Sequence, residues 1–450
     1  MLGLRRIARL LAVSAGAAAL VLLLGVIVNG TRSALSARND AGSQPAYQAS
    51  ANKLFLQGRR IFRYDTFGDR AFWGGALQLH KAIEGAKFGG VGGGVSPKTA
   101  LALGLKVDSA ALPKKLVAAI KAGKVDLNSP ATTLALLKLN AVVGLKGFFN
   151  KGGSLSGIGV TCAACHSTVD NSFAPGIGKR LDGWPNRDLN VGAIINAAPD
   201  HRVLTDLLQI DDATLSKVLL AWGPGRFDAE VALDGKGFRP DGKTGAVPIP
   251  AAYGLAGVNL ATYTGWGTVT YWNAFVANLE MHGQGNFYDP RLDDASRFPV
   301  AARANFGHVT HKPDLVSPAL PALHYYQLSL RAPRLSKGSF NRAAAARGRA
   351  IFSGQGRCSS CHIAPTYSEP GYNLHKPSEI CTDSFTADRS PTGMYRTAPL
   401  RGLWARAKGG YYHDGRYPNL LAVVDHYNSC FNLGLSSGQK ADLVQFLKSR

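Results

Sequence analysis

Two five-residue stretches carry the chemistry that is easiest to name: Cys162-Ala163-Ala164-Cys165-His166 and Cys358-Ser359-Ser360-Cys361-His362, one pattern at two places 196 residues apart. Covalent attachment of haem needs two thiols spaced to reach the vinyl groups on one side of the porphyrin. It also needs an imidazole beside them to bind iron, and C-x-x-C-H supplies all three. With 6 Cys and 11 His in the chain, chance would produce one such pattern about 0.002 times per chain, so two are not accidental. Half a zinc site would need further paired ligands nearby, and a redox dithiol would need a βαβ context; neither is visible. The sequence therefore predicts two c-type haems, held by thioethers at Cys162, Cys165, Cys358 and Cys361, with His166 and His362 as the proximal iron ligands.

What such a haem does depends on the opposite face of its iron, because a strong sixth ligand leaves electron transfer and an open position admits peroxide or oxygen. For the second haem the candidates downstream are His375, Met394, His413, His426 and Tyr427, each of which has an ordinary reading as a packed or surface residue. Near the first, His80 on a predicted helix from Leu77 to Ile83 is within conceivable reach, although a packed or solvent-facing histidine is the commoner case. The segment from Asp182 to Asp188 reads as a plain loop. Its alternative is an edge to the first haem, with Trp184 stacked and Arg187 on a propionate. No catalytic acid-base pair stands out near Cys162.

The stretch Thr397 to Trp404, then Gly410-Tyr411-Tyr412-His413-Asp414-Gly415-Arg416, then Val423-Val424-Asp425-His426-Tyr427, resembles the signature of bacterial di-haem cytochrome c peroxidases. The methylamine-dehydrogenase maturation enzymes and the rubber oxygenases are their relatives. The likeness covers the last 110 residues or so, and upstream it rests on the first haem motif alone. It implies a distal methionine or tyrosine some fourteen positions after the histidine of the H-D-G element, which falls on Tyr427. The rubber oxygenases imply a histidine instead. The order of preference is His413, then Tyr427, then Met394, with Arg401 of the L-R-G element as a propionate contact. The long segment before the first motif and the wide spacing between motifs lean toward the larger, rubber-oxygenase-like members.

The elements that must position these residues are mainly helical, since few runs alternate apolar and polar side chains for long. A helix over Asn341 to Phe352 leads into the second motif. Ser436-Ser437-Gly438-Gln439 is a capping box for a last helix with Leu443, Val444, Phe446 and Leu447 on one face. A helical stretch is expected over Ala131 to Val143. The expected architecture is two cytochrome-c-like haem domains with long loops, at 54–335 and 336–450, after an N-terminal transmembrane helix (1–30) and a polar tether (31–53).

That first segment places Arg5, Arg6 and Arg9 before an apolar stretch from Leu10 to Val28, about 28 Å long if helical and close to the thickness of a bilayer core. With no clear cleavage site, it reads as a signal anchor that leaves the remainder on the periplasmic side of a bacterial inner membrane. There the formal net charge of +22 meets anionic lipid and acidic redox partners rather than nucleic acid. Cys381 and Cys430 then either pair as a disulfide or remain as two buried thiols. Gly237 to Thr244 matches the phosphate-loop pattern, but no buried strand precedes it and prolines follow, so nucleotide binding is not expected. The glycine cluster at Gly89 to Gly94 reads as a flexible loop, and His308 and His311 as loop residues. Three functions stay open: an exported di-haem electron carrier working with exported donors and acceptors, a peroxidase- or oxygenase-type enzyme acting at the first haem, and a cytochrome subunit of a larger dehydrogenase.

Overall fold

Short helices joined by loops dominate because the apolar residues come in brief clusters broken by 52 glycines and 23 prolines, which end regular elements. A computed structural model of the protein describes residues 45–450, so the predicted anchor at 1–30 lies outside the described residues. No helix among them is long and apolar enough to cross a membrane. The chain divides into Met1–Leu56 and Gln57–Arg450. In the first unit, residues 45–56 are helical, although the sequence suggested a tether as far as Lys53. Pro45 suits a helix start and the alanines that follow favour continuation.

Three buried apolar clusters stand out among the described residues of the second unit. The first gathers Trp73, Leu77, Leu137, Ile158, Leu219 and Trp222 around the first haem motif. A second, aromatic in character, joins Trp266, Trp272, Phe275, Phe287 and Phe298. The third, Phe352, Leu403, Val424, Leu443, Phe446 and Leu447, lies within the C-terminal region. Strands are short and form two-stranded ladders, the longest being Leu145–Phe149 antiparallel to Leu155–Val160.

In the C-terminal region, helix Arg342–Ser353 begins on Asn341, whose side chain accepts from the Ala344 N–H. Helix Ser437–Lys448 begins on Ser436 with both halves of the predicted capping box formed. The two cross closely. A Cβ on Gly348 would sit 2.1 Å from the Asp442 carbonyl, so only glycine permits the approach. Leu443, Phe446 and Leu447 are buried, as the apolar face requires. The stretch expected to be helical from Ala131 to Val143 stops earlier, at helix Pro130–Lys138. Asn140 there takes a left-handed φ of 51°, and the chain turns into the strand at Leu145. Cys381 and Cys430 are joined as a disulfide.

Candidate haem sites

The first motif folds as a single helical turn, Ala163–His166, with Cys162 before it. Its backbone is fixed on two sides. Gly144, at φ 83°, passes so close that a Cβ would lie 2.2 Å from the Ala164 Cα. From the other side, the Gly183 N–H donates to the His166 carbonyl at 2.8 Å and the Asn186 N–H to the Cys165 carbonyl at 2.8 Å. The Asp182 to Asp188 segment is thus strapped onto the motif. His166 Nδ1 lies 3.1 Å from the Pro250 carbonyl, which fixes that nitrogen as the N–H and leaves Nε2 with the free lone pair a metal needs. Burial pulls His166 down to about 4, so its imidazole is neutral. Burial also pushes the Cys162 and Cys165 thiols up to about 12, the opposite of an activated redox dithiol.

All three side chains border one cavity of about 320 Å³, walled by Leu79, Leu189, Ile195, Leu219, Trp222, Trp272 and their neighbours. All three are half-buried. Two π-helical segments, Ala71–Ala76 and Val276–Glu280, border it, tied together by the Trp73 indole N–H donating to the Met281 carbonyl at 3.1 Å. Such widened turns re-aim side chains and recur at functional sites. Here the second one delivers Glu280 and, just past it, His282 to the cavity. Burial, with Glu230 and Asp228 nearby, holds the Glu280 carboxyl well above its ordinary range. His282 stacks on Phe72 with ring centroids 3.6 Å apart, and burial holds it at about 4. Neither residue was singled out from sequence. The available signal was that Glu280 is the one charged residue in the run from Trp272 to Met281. His80 does not border the cavity; it sits on helix Leu79–Glu84.

At the second motif the turn is Cys358–Ser360, and His362 Nδ1 lies 2.9 Å from the Tyr367 carbonyl. Again Nε2 is left for iron. Cys358 packs against the third apolar cluster. Of the distal candidates, Tyr427 comes within electrostatic reach of the Cys358 and Cys361 thiols, stacks on Phe431 at 5.7 Å and shares a 3.2 Å hydroxyl contact with Tyr412. His375 also lies beside the motif, within 4.8 Å of Cys361 and Glu369 by their ligand atoms, with Nε2 2.5 Å from Glu369 Oε2. His413 is buried, stacked on Tyr395 at 4.5 Å, with Nε2 3.5 Å from Asp383 Oδ2, too long for a well-formed hydrogen bond. His426 Nε2 is 3.0 Å from the Ile380 carbonyl, and Met394 is half-buried. Arg401 is exposed, its Nε donating to the Pro365 carbonyl at 2.6 Å.

Both sets of residues fit a c-type haem. Each offers two unbridged thiols and an imidazole oriented through Nδ1 by a carbonyl, and the first adds an apolar chamber. Between them, Trp184 meets Trp404 edge-on at 5.0 Å, and the Tyr253 hydroxyl donates to the Gly402 carbonyl at 2.6 Å. Away from the sites, Gly237 to Thr244 is a tight turn closed by the Arg239 N–H on the Lys243 carbonyl at 2.8 Å. His308 lies in strand His308–Val309 and faces Asp293 at 2.8 Å.

No family model matches the chain. It is 28% identical over 241 residues to the methylamine utilization protein MauG of Methylorubrum extorquens, an alignment spanning 46% of this chain and 65% of the relative, just under two thirds of its length. Among solved structures it has slight similarity to a MauG-like protein associated with microbial copper homeostasis, with a TM-score of 0.31 at 18% identity over 51% of this chain and 78% of that one. A hydrazine synthase from Kuenenia stuttgartiensis gives a TM-score of 0.21 at 21% identity, over 30% and 56% of the two chains. The likeness to MauG supports haem binding by this chain.

Proposed function

The chain falls in the superfamily of di-haem cytochrome c peroxidases and MauG by its homology to MauG, and from that premise we propose that it is an exported redox protein with two unequal haem c sites. The second relays electrons, and the first reacts with peroxide or oxygen. The observation that carries this is the 320 Å³ chamber beside Cys162, Cys165 and His166, with the carboxyl of Glu280 on its wall. A haem bound there supplies one-electron exchange and an iron position at which peroxide or oxygen can bind. The chain supplies the rest. Cys162 and Cys165 would hold the haem, the Pro250 carbonyl orients His166, the apolar walls exclude bulk water, and Glu280 places a proton donor and acceptor inside. Trp184 and Trp404 offer an aromatic contact between the two haem-bearing regions.

Export is supported by the arginines and apolar stretch at the N-terminus and by the Cys381–Cys430 disulfide, which persists in an oxidising compartment. The proposed location is the periplasmic face of the inner membrane, with exported proteins as electron donor and acceptor. Electron paramagnetic resonance of the full-length oxidised protein tests the assignment, with one high-spin and one low-spin haem expected. Two low-spin signals that stay unchanged when one haem is reduced would leave an electron carrier only. His282, facing the same chamber, is the observation in favour of that second reading. Glu280→Gln is expected to lower peroxide-dependent turnover by about 10²- to 10⁴-fold with the spectrum unaltered.

A further inference from the structure

Beside the first-haem chamber lies a smaller cavity of about 30 Å³, lined by Pro250, Tyr253, Tyr263, Arg396, Arg401 and Arg406 among others. Its position is informative. Pro250 carries the carbonyl that orients His166, and Ala398, also on its wall, lies near the His362 ring. Arg396 and Tyr263 border both this cavity and the large chamber. The small cavity therefore sits between the two proximal histidines.

Its charge is unbalanced. Arg396 donates through Nη1 to the Leu260 carbonyl at 3.0 Å and through Nε to that of Thr262. Arg406 donates to the Pro399 carbonyl, and its Nε is buried without a partner. Arg187, which does not line the cavity but lies within electrostatic reach of Arg406, is only 7% exposed, donates to the Lys408 carbonyl at 3.2 Å, and also has its Nε buried and unpartnered. These partners are neutral, and none of the three guanidiniums pairs with a carboxylate among the described residues. They press on one another instead: burial and Arg406 together bring Arg396 down to about 10, and burial with Arg406 and Arg226 lowers Arg187. Enclosed cations without a counter-charge are costly, whereas Arg389, also buried, has Asp228 and Asp234. The unpartnered Nε groups of Arg187 and Arg406 are donors suited to a carboxylate.

We propose that Arg187, Arg396 and Arg406 form an anion subsite that takes a propionate carboxylate of the first haem, with Arg396 as the inner contact. Resting on the di-haem reading, this goes beyond the sequence-based assignments of Arg187 and Arg401, since Arg401 is exposed at the cavity rim. It also gives the haem a structural task. Arg187 comes from the segment strapped to the first motif, and Arg396 and Arg406 from the C-terminal region, so the carboxylate would join the two.

The test is a spectroelectrochemical titration of full-length, haem-loaded protein carrying Arg396→Gln, Arg406→Gln or Arg396→Lys. Removing a cation beside the haem favours the more positive oxidised iron, so the midpoint potential of the first haem should fall in both glutamine variants. Arg396→Lys, which keeps the charge, should stay near the wild type. Unmoved potentials in folded, fully loaded Arg396→Gln and Arg406→Gln would overturn the proposal. A wild-type potential that shifts on adding inorganic phosphate at low ionic strength would also overturn it, by showing that the subsite is open to a free anion. Mass spectrometry of the peptide bearing Cys162 and Cys165 separates the two levels. Without covalent haem there, the di-haem reading fails first; with haem present and potentials unmoved, only the carboxylate assignment does.

Discussion

The two C-x-x-C-H motifs have the same letters at the ligating positions and opposite surroundings. Around Cys358 the chain builds a core in which Phe352, Phe446 and Tyr367 pack ring on ring, with centroids 4.9 to 6.2 Å apart. Tyr427 and His375 are brought close to the thiols. Around Cys162 it builds walls and leaves the middle open, then sets on that wall one carboxyl, Glu280, whose ionisation burial disfavours. A five-residue motif would thus specify attachment, and residues a hundred or more positions away its use.

The largest expected effect breaks the comparison at its root. Replacing Cys162 and Cys165 by serine should remove one covalent haem, and replacing Cys358 and Cys361 should remove the other. Haem staining of denatured protein, with iron content per chain, checks the stoichiometry. A chain that keeps two haems after either double replacement would show that one motif does not attach haem. Spectra of the two half-loaded proteins should then separate a high-spin component, belonging to the first motif, from a low-spin one.

Much of the second region was legible because its signals are local. The Asn341 and Ser436 caps, the apolar face of the last helix and the H-D-G and D-H-Y elements all lie within a few residues of what they position. Around the first motif the same approach ran out. Glu280 and His282 are more than a hundred positions from His166 and reach it through a π-helical turn that no period announces. Segment 182–188 looked like a loop because its hydrogen bonds run to the motif's carbonyls, and backbone partners leave no mark in a sequence. From sequence Arg187 is only an alternative propionate contact, and Arg396 and Arg406 are ordinary letters until folding brings them together without carboxylates.

A smaller effect sharpens the comparison on the second side. The disulfide closes a loop between residues 49 apart, which by chain entropy is worth roughly 2–4 kcal/mol. It also anchors the turn Pro377–Ile380, whose Ile380 carbonyl accepts from the Tyr412 hydroxyl at 3.2 Å, and Tyr412 in turn meets Tyr427. Cys381→Ser with Cys430→Ser should lower stability to urea by that amount. It should also disturb the low-spin signal while leaving the high-spin one as it was. A disturbance confined to the high-spin signal would place the low-spin haem elsewhere than at the second motif.

A further effect separates the regions by pH. Asp69 is 0% exposed, accepts from the Val160 N–H at 2.9 Å, and is pushed up to about 8 by burial. In the C-terminal core the comparable acid, Asp442, lies at the helix-pair surface in two 2.7 Å hydrogen bonds from Arg347. An unfolded aspartate releases its proton near pH 4, so between there and pH 8 the native state holds a proton that the unfolded chain has lost. Stability must then fall as pH rises through that window, by at most about 1.4 kcal/mol per pH unit for one proton, and level off above it. Asp69→Asn keeps an acceptor for Val160 and stays neutral throughout. Its urea midpoint should therefore lose the downward slope between pH 5 and 8 and exceed that of the wild type at the upper end. Parallel profiles for the two proteins would mean that Asp69 is ionised in the folded chain, and that the first region tolerates a buried carboxylate.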